Sequence, residues 1–511
     1  MKQVIFIFLC TALVLSANTD DIPLLRWAGP EGSHPGTYEE WHAMHPGQPF
    51  EYTLRSIRYG HRTGTIAVIT DQNIVTPLNT QLTQLETDLV TDGYTVLSYG
   101  LTGGTPEDLK TMLTDLYDTL DLEGALLVGS VPVAWYEVQN DFNSYGYADF
   151  PCDLFFMDLD GTWLDTMNTG NGKYDGHDGD MEPEIYVGRL YPEGLGDDTL
   201  LLQNYFVKNH AYRQNTLHLT DRALVFVDDD WYPWATQWAN DVGMLYADIM
   251  QFSHPETTRA AIYRPRLDTV QAWVAVFAHS WPQGHQFSYN GGANHDYYYG
   301  AEYTTQDPPS NFYNFFACSF SRFTESANCG GARAVFNQSY GLASMGSTKT
   351  GSMLEFGYFY QPLGDSSNLG EAFRDWFSHI TYNGVTHDEL CWHYGMTLLG
   401  DPFLKPTGHE VSVAEFKPAT VTRSRFNVVS NPVGTAMRAF LSLTEPEHVR
   451  VALYDATGRR VNVLFNSTLD GGDHHFTWDM KDVHGIVLPT GAYILQAHFA
   501  THTVSRKIVK L

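Results

Sequence analysis

From Thr65 onward, short apolar runs alternate with amphipathic stretches. Ile66-Ala67-Val68-Ile69 is continuous and stops at Thr70-Asp71, as a strand buried on both faces would. Pro77 then opens a stretch with Leu78, Leu82, Leu85 and Leu89 at i, i+4, i+7 and i+11, one face of a helix. Gly93 closes it, and Tyr94-Thr95-Val96-Leu97 predicts the next strand. Leu109, Met112, Leu113, Leu116 and Leu120 predict a second helix, followed by a strand through Ala125-Leu126-Leu127-Val128-Gly129. The pattern returns at Ile185–Val187, Ala223–Val227, Val274–Phe277 and Phe312–Ala317. Together these predict an α/β domain over residues 65–405, a mostly parallel doubly wound sheet with helices on both faces. In such sheets reactive groups sit in loops at the carboxyl ends of the strands.

After Pro406 the period changes. Val449-Arg450-Val451-Ala452-Leu453-Tyr454 and Arg460-Val461-Asn462-Val463-Leu464 alternate around a Thr457-Gly458 turn. Gly471-Gly472, Trp478, Gly485 and Gly491-Ala492-Tyr493 punctuate further short strands. Residues 421–511 therefore read as an all-β, Ig-like sandwich behind a linker. Residues 18–64 carry Gly, Pro, Trp and His without clear periodicity and read as an irregular lead-in. Before them, Met1-Lys2 precedes an apolar run from Val4 to Leu15 and the small residues Ser16-Ala17, the form of a secretory signal peptide over 1–17. That run is too short to cross a membrane, so no transmembrane span is expected.

Composition narrows the classes. The 511 residues hold 30 Lys+Arg against 59 Asp+Glu, a formal charge of −29, which argues against nucleic acid as a partner. The acids concentrate in one place. Between Asp149 and Glu184 there are ten carboxylates and one cation, Lys173, with Gly161, Gly170, Gly172, Gly176 and Gly179 interleaved. Residues 411–511, by contrast, hold 11 Lys+Arg against 8 Asp+Glu. Hard oxygen donors on a Gly-bent loop suit Ca²⁺, with Asp158, Asp160, Asp165, Asp175, Asp178 and Asp180 as candidate ligands. The plain alternative is a solvated acidic loop. Such crowding in one loop also disfavours a glycosidase, which needs its two carboxyls on facing elements.

Four cysteines follow the leader segment: Cys152, Cys318, Cys329 and Cys391. Their separation permits a Cys318–Cys329 bridge, or leaves a thiol free for chemistry. His279 comes just after the strand ending at Ala278, and Cys318 just after the one ending at Ala317. Parallel strands would bring both to one sheet edge, where an imidazole can take a thiol proton. A small buried Cys at a strand end is the equal alternative from spacing alone.

Phe277-Ala278-His279-Ser280 followed by Phe316-Ala317-Cys318 resembles the His and Ala-Cys blocks of the clan that includes caspases, legumains and gingipains. Leu126–Gly129, Pro183–Leu190, Gly341–Thr348 and Leu399-Gly400-Asp401-Pro402 resemble blocks of gingipain-type cysteine peptidases, so the resemblance covers about residues 65–405. It implies a peptidase acting on proteins or peptides with His279 and Cys318 catalytic. The backbone N–H groups of Ser280 and Cys318 would serve the oxyanion. Ser280 departs from the family, which usually has Gly after the catalytic His. The resemblance also sets Asp153 near the substrate pocket, implying basic P1 residues, while a second His, in Gly284-His285-Gln286, is a weaker candidate for the role of His279 and a candidate substrate contact. Glu137 or Asp141 would orient His279, without a choice between them. A non-catalytic surface protein reusing the fold is the alternative function. Ser430-Asn431-Pro432, Leu453–Arg459, Trp478, Gly491-Ala492-Tyr493 and Lys507–Lys510 resemble type IX secretion sorting domains and flagellar-hook-type Ig-like modules. They imply a partner in the secretion machinery and an extracellular or cell-surface location.

Overall fold

The computed structural model describes residues 22–61 and 64–407. In the C-terminal part it describes 425–428, 437–443, 446–455, 459–482, 486–499 and 503–510. The leader segment 1–17 lies outside these. The chain divides between His409 and Glu410 into two units.

The first unit is built on eleven strands: β1 (Glu51–Arg58), β2 (Thr65–Asp71), β3 (Thr95–Thr102), β4 (Leu122–Val128), β5 (Tyr186–Leu190), β6 (Arg222–Val227), β7 (Asp248–Phe252), β8 (Trp273–Phe277), β9 (Phe312–Phe316), β10 (Ala343–Ser347) and β11 (Met396–Gly400). Their order across the sheet is β1-β3-β2-β4-β5-β11-β10-β9-β8-β6-β7. The expected parallel pairing holds within two blocks, but β10 and β11 are antiparallel where the blocks meet. The sheet is therefore mixed, and the two blocks present their carboxyl ends at opposite edges.

Burial follows the predicted period. Ile66 and Val68 pack with Leu82, Leu85 and Leu89 of helix Asn79–Thr91 on one face. Ala67 and Ile69 join Leu109, Met112 and Leu113 of helix Pro106–Leu120 on the other. The first of these helices starts at Asn79, later than Pro77. Before it, Asp71 accepts from the Asn73 N–H, so β2 passes directly into a turn of helix over Gln72–Val75.

The lead-in is more ordered than its sequence suggests. It holds a helix, Tyr38–Met44, fixed by a capping box between Thr37 and Glu40, and the edge strand β1, antiparallel to β3. A register shift between Leu54 and Ser56 breaks the alternation that would have revealed β1. The acidic segment is likewise not all loop, since Thr162–Leu164 and Gly176–Asp178 pair as a hairpin.

In the second unit, strands Arg425–Val428, Met437–Leu443 and Gly472–Trp478 form one sheet. Glu447–Asp455, Arg460–Leu469, Gly491–His498 and Thr503–Lys510 form the other. Phe426, Leu441, Val451, Leu453, Leu495 and Ile508 share one apolar core, as expected of a sandwich. Among the described residues no helix is long and apolar enough to cross a membrane.

Candidate active site

Strands β8 and β9 are parallel neighbours with Phe277 opposite Phe316. His279 and Cys318 each follow that rung by two residues, so the register brings them to the same edge. His279 begins the short strand His279–Trp281, which leads into a three-stranded antiparallel sheet with Gly284–Tyr289 and Asn294–Tyr299.

The His279 ring has two partners. Its Nε2 lies 2.6 Å from Asp230 Oδ2, and its Nδ1 accepts a hydrogen bond of 3.1 Å from the Arg26 N–H. A carboxylate on Nε2 and an N–H donor on Nδ1 fix the tautomer: the proton is on Nε2 and the lone pair on Nδ1. Trp231 packs against the ring at 4.6 Å. Burial holds the His279 pKa below its ordinary value, against the opposing pull of Asp230. The Asp230 carboxyl is held below the usual range, chiefly by its hydrogen bond to His279. Neither Glu137 nor Asp141 orients His279. Glu137 accepts from Tyr147 and Asn171, while Asp141 pairs with Lys349 at 2.7 Å. Asp230 follows β6, the strand beside β8, in the acidic run Asp228-Asp229-Asp230. That run at a strand end was the sequence signal for it.

Cys318 is fully buried and, with the other three cysteines, free, so no Cys318–Cys329 bridge exists. Burial pushes its thiol up to about 12, opposed by hydrogen bonds from the Thr350 side chain and the Gly351 backbone and by the Lys349 charge. Ser319, the next residue, sits at φ +52°, where a side chain is disfavoured, and its buried hydroxyl has no partner. A cavity of about 400 Å³ opens beside these residues, lined by Arg26, Trp27, Tyr145, Asp149, Ser319 and Thr350 among others.

Two expected substrate contacts are elsewhere. Asp153 is 4 % exposed and engaged by Arg189, with Nη2 to Oδ1 at 2.7 Å and Nε to Oδ2 at 3.2 Å, and by the Thr397 hydroxyl at 2.8 Å. It balances a buried guanidinium and has no side left for a ligand. His285 is fully buried, stacked 3.8 Å from Phe320 and bonded to the Ser280 hydroxyl at 2.8 Å. Burial drives its pKa to about 3, so it is a neutral packing residue. Ser280 is buried at the strand that carries His279, and its hydroxyl also donates to the Ala278 carbonyl.

The six acids expected to bind Ca²⁺ do not come together. Among the described residues, the carboxylates that gather are Asp158, Asp160 and Glu184, with one oxygen of each within 4.8 Å of the others. Glu184 is an addition to the expected set. Asp165 and Asp175 instead accept from the backbone N–H groups of Gly170 and Thr166, and Asp180 from that of Glu182. Their carboxylates cap turns of the loop. The gathered cluster already has a cation close by, since the Lys110 ammonium donates to the Asp158 carbonyl at 2.5 Å.

The model of peptidase family C25 matches residues 66–407. The chain belongs to this family of cysteine peptidases. A second model, the FlgD Ig-like domain, matches residues 430–502. Three solved structures share limited stretches with the chain. Dimeric latent PorU from Porphyromonas gingivalis is 19 % identical over 17 % of this chain and 9 % of its own, with TM-score 0.16. FlgD from P. aeruginosa is 27 % identical over 16 % of this chain and 71 % of its own, with TM-score 0.14. PorZ, a type-IX secretion component of Porphyromonas gingivalis, is 12 % identical over 24 % and 14 %, with TM-score 0.13. No curated protein matches the chain.

Proposed function

We propose that this C25 family member is an exported cysteine endopeptidase with Cys318 as nucleophile and His279 as general base and acid. The observation that carries this reading is the Asp230–His279 pair at the edge where Cys318 follows the end of the adjacent strand. With Asp230 on Nε2, the lone pair of Nδ1 is the base. The Cys318 Sγ–H proton passes to Nδ1 and the thiolate adds to the scissile carbonyl carbon. The resulting oxyanion is held by the backbone N–H groups of Cys318 and Ser280. The C–N bond then breaks as Nδ1–H protonates the leaving amine. Water, deprotonated by Nδ1, cleaves the thioester to a carboxylate and the free thiol.

Specificity for basic P1 residues has little support once Asp153 is paired with Arg189. The acids at the cavity, Asp141 and Asp149, are also matched, by Lys349 and by Lys173 and Arg322. The reading therefore assigns a P1 pocket without net acidity.

Cys318→Ala tests the assignment. It should abolish peptide cleavage and labelling by thiol-directed inhibitors without unfolding the protein. Retained cleavage would refute it. Two observations favour the non-catalytic reading: the thiol is buried, and Nδ1 already has a donor. Inertness on every peptide tried, in every covalent form of the chain, would establish that reading instead.

The Ig-like unit serves export through a type IX machinery in this proposal. Deleting residues 411–511 should retain the protein inside the cell, and unchanged export would remove the role. Calcium binding at Asp158, Asp160 and Glu184 is the corresponding cofactor proposal. Burial and mutual repulsion raise the Asp160 and Glu184 carboxyls, a strain that a divalent cation would relieve.

A further inference from the structure

Strand β1 lies at one end of the eleven-stranded sheet, and among the described residues nothing pairs with its outer edge. Its ladder with β3 fixes which way its side chains face. Tyr52, Leu54 and Ile57 stand opposite Leu101, Tyr99 and Leu97, on the face that holds Leu109 and Leu113. Glu51, Ser56 and Arg58 stand opposite Thr102, Ser98 and Val96, and Val96 belongs to the other face, with Leu82 and Leu85. Thr53 falls on that second face by alternation.

The apolar three are uncovered, Tyr52 by 53 %, Leu54 by 47 % and Ile57 by 42 %. An open edge of this kind is a template for pairing, and proteins ordinarily guard it with charge. The arginines of β1 do not guard it. Arg55 Nη1 and Arg58 Nε donate to Glu86 at 2.8 and 2.9 Å, so both are drawn onto helix Asn79–Thr91.

The strand reads Glu-Tyr-Thr-Leu-Arg-Ser-Ile-Arg and is complementary to itself when run antiparallel. With a two-fold axis between Leu54 and Arg55, Glu51 of one copy faces Arg58 of the other. Tyr52 then faces Ile57, and Thr53 faces Ser56. Residues directly opposite in an antiparallel pair must share a face, and each of these pairs does. The charges balance as well. Arg55 and Arg58 share one carboxylate, Glu86, which leaves a positive charge for Glu51 of a second copy to neutralise. The buried Ser56 hydroxyl has no partner in its own chain, and Thr53 of the second copy brings a hydroxyl opposite it. The register shift of β1 falls between Leu54 and Ser56, at the axis, so both copies carry it through the same rung.

We infer that β1 is a self-association edge, through which two copies of this chain pair antiparallel over residues 51–58 and join their sheets into one. Such a contact is isologous: it uses the same edge on both copies and closes at a dimer. No residue of the candidate active site takes part, so the dimer does not depend on the peptidase reading.

Sedimentation equilibrium of the full chain from about 1 to 100 µM tests it. Twice the chain mass is expected at the upper concentrations, and a monomer throughout overturns the inference. Leu54→Lys sets a lysine against Arg55 of the other copy, twice per dimer, and should raise the dissociation constant by about 10²-fold or more. A dimer indifferent to Leu54→Lys uses another surface and likewise overturns the inference. Cross-linking reads the register. In the double variant Thr53→Cys with Ser56→Cys, opposing thiols lie within disulfide reach, and copper phenanthroline with oxygen as the electron acceptor should couple them into a covalent dimer. Thr53→Cys alone places its thiol opposite a serine and should stay uncoupled. No coupling of the double variant, or equal coupling of the two, overturns the pairing.

Discussion

Asp230 Oδ2 lies 2.6 Å from His279 Nε2, so a carboxylate from the end of one strand fixes the tautomer of an imidazole at the end of the next. Asp230→Asn keeps the shape but withdraws the charge that steadies a protonated His279. If the protein is the peptidase proposed, its kcat/KM should fall by about 10²-fold or more. Because Asp230 opposes the lowering of the His279 pKa, the acid limb of the pH profile should also move to lower pH. A variant with wild-type kcat/KM would show that Asp230 has no part in the reaction.

Asp153 offers a contrast between structure and specificity. Its ion pair with Arg189 is buried on both sides, so Asp153→Asn leaves a guanidinium without its counter-charge. Breaking such a pair costs about 3–5 kcal/mol. Chemical denaturation should record that loss, while a panel of P1 substrates shows an unaltered preference. A changed P1 preference at wild-type stability would return Asp153 to the substrate pocket.

Ser319 holds φ +52° beside the nucleophile with its hydroxyl unpartnered. Ser319→Gly should raise stability by about 1 kcal/mol, since glycine accepts that backbone without strain. Urea melts of the two proteins measure the difference. A loss of stability would mean that the hydroxyl has a partner in solution.

Burial drives His285 and His393 down to about 3. Their folded pKa values lie below the ordinary 6.5, so the unfolded chain takes up more protons between those limits. The stability they contribute is full above pH 6.5 and is lost as pH falls toward 3, at about 1.4 kcal/mol per pH unit for each. Melting temperatures measured from pH 7 to 4 should decline, and His285→Phe should decline less steeply. Parallel curves for the two proteins would contradict a buried neutral His285.

Calcium at about 100 times its dissociation constant should stabilise the protein by about 2.7 kcal/mol. Glu184→Gln, which removes one of the three gathered carboxylates, should weaken that gain. Thermal scans with calcium and with chelator decide it. Identical scans for the wild-type protein would leave Asp158, Asp160 and Glu184 as an acidic cluster partly balanced by Lys110.

The sequence by itself determined the elements and the domain order. Period 3.6 in Leu82, Leu85 and Leu89 and unbroken apolar runs such as Ile66–Ile69 report burial locally, because each side chain's face follows from its place in the element. Placing His279 and Cys318 at two strand ends needed only that reading. Strand order and direction were decided by tertiary structure, including the antiparallel junction of β10 and β11. The choice of Asp230 over Glu137 and Asp141 required knowing that β6 lies beside β8. The same holds for Arg189 against Asp153, and for Arg26 on His279 across 253 residues of chain. Polar pairing of this kind leaves no period in the sequence. It arises only when distant elements meet and their buried charges and hydrogen-bonding groups must find partners.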